Sequence, residues 1–227
     1  MKAIYLCAAI FMAANFTPSL GAAESSNSTI ATRAQLDPAI VKKASEWVAT
    51  LQLTDPGKEE RVTQAIAAHL QAVRDWHNSH PYTEVPETNS VTGKPMSVLE
   101  REMVADSRMP KTAHEKLMTA LRKDLNDQQV AAILDKYTVG KVEFTMRGYE
   151  GIVPDMTPAE RATILHNLEQ AREEAIDYKD MKEISAVFKK YKTKNEQYLD
   201  ANGRDWHALY KAYVQKIEAE KKAKTEK

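Results

Sequence analysis

Three short words fix points where this chain must start a helix: "DPAIV" at Asp37, "DPGKE" at Asp55 and "TPAER" at Thr157. In each, a side chain that can accept from free backbone N–H groups precedes a proline. Proline has no N–H to lose in a first turn and its fixed φ suits a helix. Thr157 adds Glu160 at capping-box spacing, and Asp180 with Glu183 repeats that device. Asn126 caps "NDQQVAAILDKY", and "SVLE" at Ser97 marks a further helical piece.

Apolar residues then recur at helical spacing. Ile40, Val41, Ala44, Trp47, Val48 and Leu51 share one face, and Val62, Ile66, Leu70, Val73 and Trp76 or His77 share the next. The short link between them predicts an antiparallel hairpin. Leu117, Leu121 and Leu125 continue the pattern, followed by Val130, Ile133 and Leu134. Ile164, Leu165, Leu168, Ala171 and Ala175 form another stripe, and Ile184, Val187, Phe188, Tyr191, Asn195, Tyr198 and Leu199 the one after it. In a last helix, Trp206, Leu209, Tyr210, Tyr213 and Ile217 are expected inward. The fold class read from these stripes is all-α: a single domain of six to eight helices built from antiparallel helical hairpins.

Two segments break the pattern. Residues 78–111 carry Pro81, Pro86, Pro95 and Pro110 and read as a long connection, either functional or disordered. "DKYTVGKVEFTMRGYEGIVPDM" holds Gly140, Gly148 and Gly151 and alternates Val142, Phe144 and Met146 with polar residues. That alternation predicts one non-helical, strand-like excursion at about 137–155.

At the N-terminus, Lys2 precedes an apolar run from Ala3 to Phe16 and then the small residues of "TPSLGAAES". This is the layout of a secretory signal peptide over 1–23, cleaved after Ala23. Residues 24–36 read as a flexible lead-in, 37–217 as the helical domain and 218–227 as a charged tail. The expected location is periplasmic or extracellular. Cys7 is the only cysteine and falls inside the signal, so the mature chain has no disulfide or thiolate chemistry. Removing Lys2 leaves 31 basic and 32 acidic side chains. That balance gives no basic surplus for nucleic acid, and no later segment is apolar enough to span a membrane.

The words "DKYTVGKVEFTMRGYEGIVPDMTPAERATIL", "LEQAREEAIDY" and "FKKYKTKNEQYLDANGRDW" resemble the family called domain of unknown function 3826, most strongly over residues 116–206. The resemblance implies an exported bacterial protein encoded beside glycan-degrading enzymes, with oligo- or polysaccharide as its partner. It brings no established reaction and no catalytic residue. "LTDPGKE", "LNDQQ" and "MTPAER" are similar to the helix starts of small periplasmic stress proteins, which implies a chaperone-like role as an alternative.

The residues themselves leave two further readings open. Arg147 offers a two-pronged donor to a carboxylate and Tyr149 a stacking face with a hydroxyl. With Asp155 they would suit an acidic sugar; equally, Arg147 pairs with a local acid in a structural crossover. On the following helices Arg172, Asp177, Lys190 and Asn195 form either the floor of a glycan site or interhelical salt bridges. Arg172, one position from the core stripe, needs a partner: Glu173, Asp177 or a carboxylate of the stretch from Asp135 to Arg161. A glycoside hydrolase or polysaccharide lyase could use two carboxylates, or Tyr with Arg, but spacing singles out no pair. His69 and His77 lie two helical turns apart and no His-Glu-x-x-His occurs, so neither a metal centre nor a cofactor is expected.

Overall fold

The computed structural model describes residues 36–225, so the signal peptide expected over 1–23 and all but the last residue of the expected lead-in lie outside the described residues. Among the described residues there are nine α-helices and no β-strand. They are α1 Pro38–Ala49, α2 Pro56–Ser79, α3 Val98–Asp106, α4 Thr112–Asp124, α5 Asp127–Thr138, α6 Lys141–Ile152, α7 Pro158–Ala175, α8 Met181–Ala201 and α9 Trp206–Thr225. Among the described residues, no helix is long and apolar enough to cross a membrane.

The starts follow the capping chemistry. Asp37 accepts from the N–H of Ala39 at 2.9 Å, and Asp55 from Gly57 and Lys58 at 2.8 and 3.2 Å. Ser97, Asn126 and Thr157 each close a capping box with Glu100, Gln129 and Glu160.

The strand-like excursion is a helix. In α6, Val142, Met146, Tyr149 and Ile152 are buried, a spacing of four, three and three residues. Phe144, the middle member of the apparent alternation, is 70% exposed. Five residues of alternation therefore misled, because the true period shows only when Tyr149 and Ile152 are included. The glycines have separate reasons. Val139 and Gly140, both at positive φ, turn the chain sharply from α5 into α6. Gly151 gives room to Tyr213, whose Cε2 lies 3.0 Å from where a Cβ would stand.

The proline-rich connection is ordered and pinned at several points. A 3-10 turn, Tyr82–Glu84, is followed by an isolated bridge between Thr88 and Pro95 and then α3. Arg101 donates from Nε to the carbonyl of Val85 at 3.0 Å, and Trp76 donates from Nε1 to the carbonyl of Ala105 at 3.2 Å.

Two apolar clusters result. One joins α1, α2, α4 and α5 around Val48, Ile66, Leu121 and Ile133, and takes in Leu36 and Ile176. The other joins α6, α7 and α8 around Tyr149, Ile164, Leu168 and Leu199. Truncating one of these fully buried aliphatic side chains to alanine costs roughly 2–5 kcal/mol. α9 rests on the rim of the second cluster and has no buried residue. Trp206, Leu209 and Tyr213 pack there only in part, and Tyr210, expected inward, is exposed. α9 also extends through the charged tail as far as Thr225.

Candidate functional site

Where α2, α3 and α4 meet the corner between α7 and α8, the interior turns polar. Asp177, in that corner, lies between two histidines. His69 Nε2 of α2 is 3.1 Å from its Oδ1, and His114 Nδ1 of α4 is 3.1 Å from both carboxylate oxygens. Glu173 Oε1 stands 3.6 Å from the far nitrogen of His114. Burial pushes the Asp177 carboxyl up, but hydrogen bonds from His114 and then His69 outweigh it and hold the group at about 2. The same bond to Asp177 raises His114 against the opposing effect of burial. His69 is 3% exposed, with the edge of the Tyr137 ring against it at 5.5 Å.

Two turns along α2, His77 enters a second cluster. Its Nδ1 is 2.6 Å from Asp106 Oδ2, at the end of α3. Glu183, in the first turn of α8, completes the group. Glu183 is pushed up to about 8, first by burial and then by the adjacent Asp106 carboxylate, with Asp180 adding to the repulsion. Two buried carboxyls this close cannot both carry charge without a proton or a cation between them.

A third feature lies at the far end of α8. Arg204 forks onto Glu160 through Nε and Nη2 at 3.0 and 2.9 Å, and reaches Asp155 Oδ2 through Nη1 at 2.8 Å. These contacts anchor the turn that presents Trp206. The Trp206 ring lies 5.3 Å from Tyr149 and stacks at 6.1 Å and 26° with Tyr210, itself 47% exposed. The result is an aromatic face that is supported from behind and open in front.

The seven residues singled out from the sequence go to different places. At this corner Tyr149 packs against Trp206 and Asp155 pairs with Arg204; Asn195 accepts from Asn167 Nδ2 at 2.7 Å, and Tyr149 donates to the carbonyl of Lys192 at 3.1 Å. Arg147 is exposed and pairs with Glu143 one turn away on its own helix. Arg172 Nη1 lies 3.0 Å from Asp135 Oδ1, so its partner is a carboxylate from the opening of the glycine-marked stretch. Lys190 pairs with Glu174 at 2.9 Å, and Asp177 belongs to the histidine cluster. The structure therefore gives these seven residues separate partners and does not gather them in one concavity.

Residues 38–219 match the model of a family described as "Protein of unknown function (DUF3826)". The chain belongs to the DUF3826 family. Comparison with curated proteins returns no match. In this DUF3826 chain, sequence reasoning missed Asp106, Glu183, His114 and Tyr210 as members of sites. Spacing within one helix was the only guide to a metal centre, and it cannot see a cluster assembled from α2, α3 and α8. The available signal was an acidic residue closing α3 and a capping glutamate opening α8, both read as helix punctuation.

Proposed function

We propose that this is an exported, glycan-binding accessory protein of polysaccharide breakdown, with its sugar contact at the corner of α8 and α9. The observation that carries this reading is the Trp206–Tyr210 stack backed by Tyr149. A pyranose ring has an apolar C–H face that lies on an aromatic ring, while phenol and indole polar groups meet its hydroxyls. Rings already held by packing lose little freedom when a sugar arrives. The secretory layout of residues 1–23 and the resemblance noted above support export and the glycan setting.

A hydrolase or lyase on acidic glycans is the alternative. It draws on the paired carboxyls Asp106 and Glu183, one of them held protonated as a general acid must be. Both side chains are buried, which closes them to a polysaccharide chain, so binding ranks ahead.

Isothermal titration against pectin, hemicellulose and host-glycan fragments tests the proposal. At least one fragment binds the wild-type protein, and Tyr210→Ala weakens that binding while leaving the helical circular dichroism unchanged. Absence of binding by every fragment at millimolar concentration overturns it.

A further inference from the structure

We propose that His77, Asp106 and Glu183 bind one divalent transition-metal cation. Each residue offers one ligand atom, and the three atoms lie within 4.8 Å of one another. Donors around a tetrahedral zinc ion, each at about 2.0–2.2 Å from it, stand roughly 3.3–3.6 Å from one another. A closure of at most about 1.5 Å at the widest pair therefore completes the set. The ligands come from the last turn of α2, the end of α3 and the first turn of α8, so an ion here ties three separate elements together.

A second observation is independent of this spacing. Asp106 and Glu183 are 4% and 1% exposed, yet Asp106 Oδ1 and Glu183 Oε1 have no hydrogen-bond partner among the described residues. Buried carboxylate oxygens are almost always satisfied, because burial removes the water that would otherwise serve them. The other two oxygens are committed, Asp106 Oδ2 to His77 Nδ1 at 2.6 Å and Glu183 Oε2 to the N–H of Asp180 at 3.2 Å. What remains is a pair of carboxyl oxygens converging from two helices beside an imidazole, where one proton or one cation must sit between them.

The donor set selects the ion. Calcium and magnesium favour oxygen-only shells, whereas one imidazole nitrogen with two carboxylates suits zinc or manganese. Three protein ligands leave a position for water. Asp180 Oδ2, 3.9 Å from His77 Nε2, stands at the solvent side of the cluster.

The test is calorimetric titration of zinc chloride into the purified full-length protein after chelator treatment, repeated with manganese. One ion binds per chain, and the thermal unfolding midpoint rises with metal. Glu183→Gln keeps a carbonyl to cap α8 and so folds, yet weakens the binding by about tenfold or more, as removal of a charged ligand does. Asp106→Asn does the same. His114→Gln, in the neighbouring histidine cluster, leaves the affinity unchanged. The proposal is overturned if neither metal binds, or if binding survives intact in Glu183→Gln.

Discussion

His114 Nδ1 lies 3.1 Å from both carboxylate oxygens of Asp177, tying α4 to the corner between α7 and α8. The pair links stability to pH in two directions. His114 is raised above its ordinary value of 6.5, so its contribution is whole below that pH and fades as pH rises through the raised folded value. Asp177 is held at about 2 against an ordinary 3.8, so its contribution is whole above 3.8 and is lost as pH falls through 2. The contact is strongest between these limits. His114→Gln therefore destabilises by about 1 kcal/mol near pH 5.5, below the usual range for a charged hydrogen bond because part of the ring meets solvent. The loss shrinks by pH 8.5, and urea unfolding at the two pH values reads the difference.

The two glycines inside α6 respond oppositely to alanine. Nothing lies within 4 Å of a Cβ built on Gly148, so Gly148→Ala stabilises by about 0.5–1 kcal/mol through helix propensity and a less flexible unfolded chain. A Cβ on Gly151 meets Tyr213 at 3.0 Å. Gly151→Ala makes the Tyr213 ring give by a few tenths of an ångström, which loosens the seat of α9, and hydrogen exchange across residues 206–225 accelerates. Equal, small effects of the two substitutions on that exchange would contradict the seating of Tyr213.

Helix starts were legible in the sequence because capping is local: Asp37, Asp55, Asn126 and Thr157 each act within three residues of themselves. α6 was misread because its glycines and its outward Phe144 belong to tertiary facts, the seat of Tyr213 and an exposed face. The partner of Arg172 was legible only as a class of carboxylate, and Asp135 supplies it across helices. The cluster of His77, Asp106 and Glu183 was not legible at all. No periodicity connects the end of α3 to the start of α8, and only the packing of both against α2 brings them together.

Val139 holds a left-handed conformation, φ 53°, that a β-branched residue resists. Its side chain is 72% exposed, so little packing rewards the strain. Val139→Gly removes the steric cost while adding freedom to the unfolded chain, for a net gain of up to about 1 kcal/mol. A higher thermal midpoint with unchanged cooperativity is the expected result.

Stability against pH for the wild type and Glu183→Gln, in chelator, tests the polar junction most directly. Glu183 faces Asp106 and His77, with Asp180 and Tyr178 beside it, and its folded pKa of about 8 lies above the ordinary 4.5. Its protonated form is therefore favoured in the folded state. The associated stability is whole below 4.5 and is lost as pH rises through 8. The wild type should weaken between pH 5.5 and 8.5 by roughly 2–3 kcal/mol more than Glu183→Gln, whose amide cannot ionise. Parallel curves for the two proteins, or a Glu183→Gln protein destabilised equally at both ends, would contradict a shared, charge-intolerant site between Asp106 and Glu183.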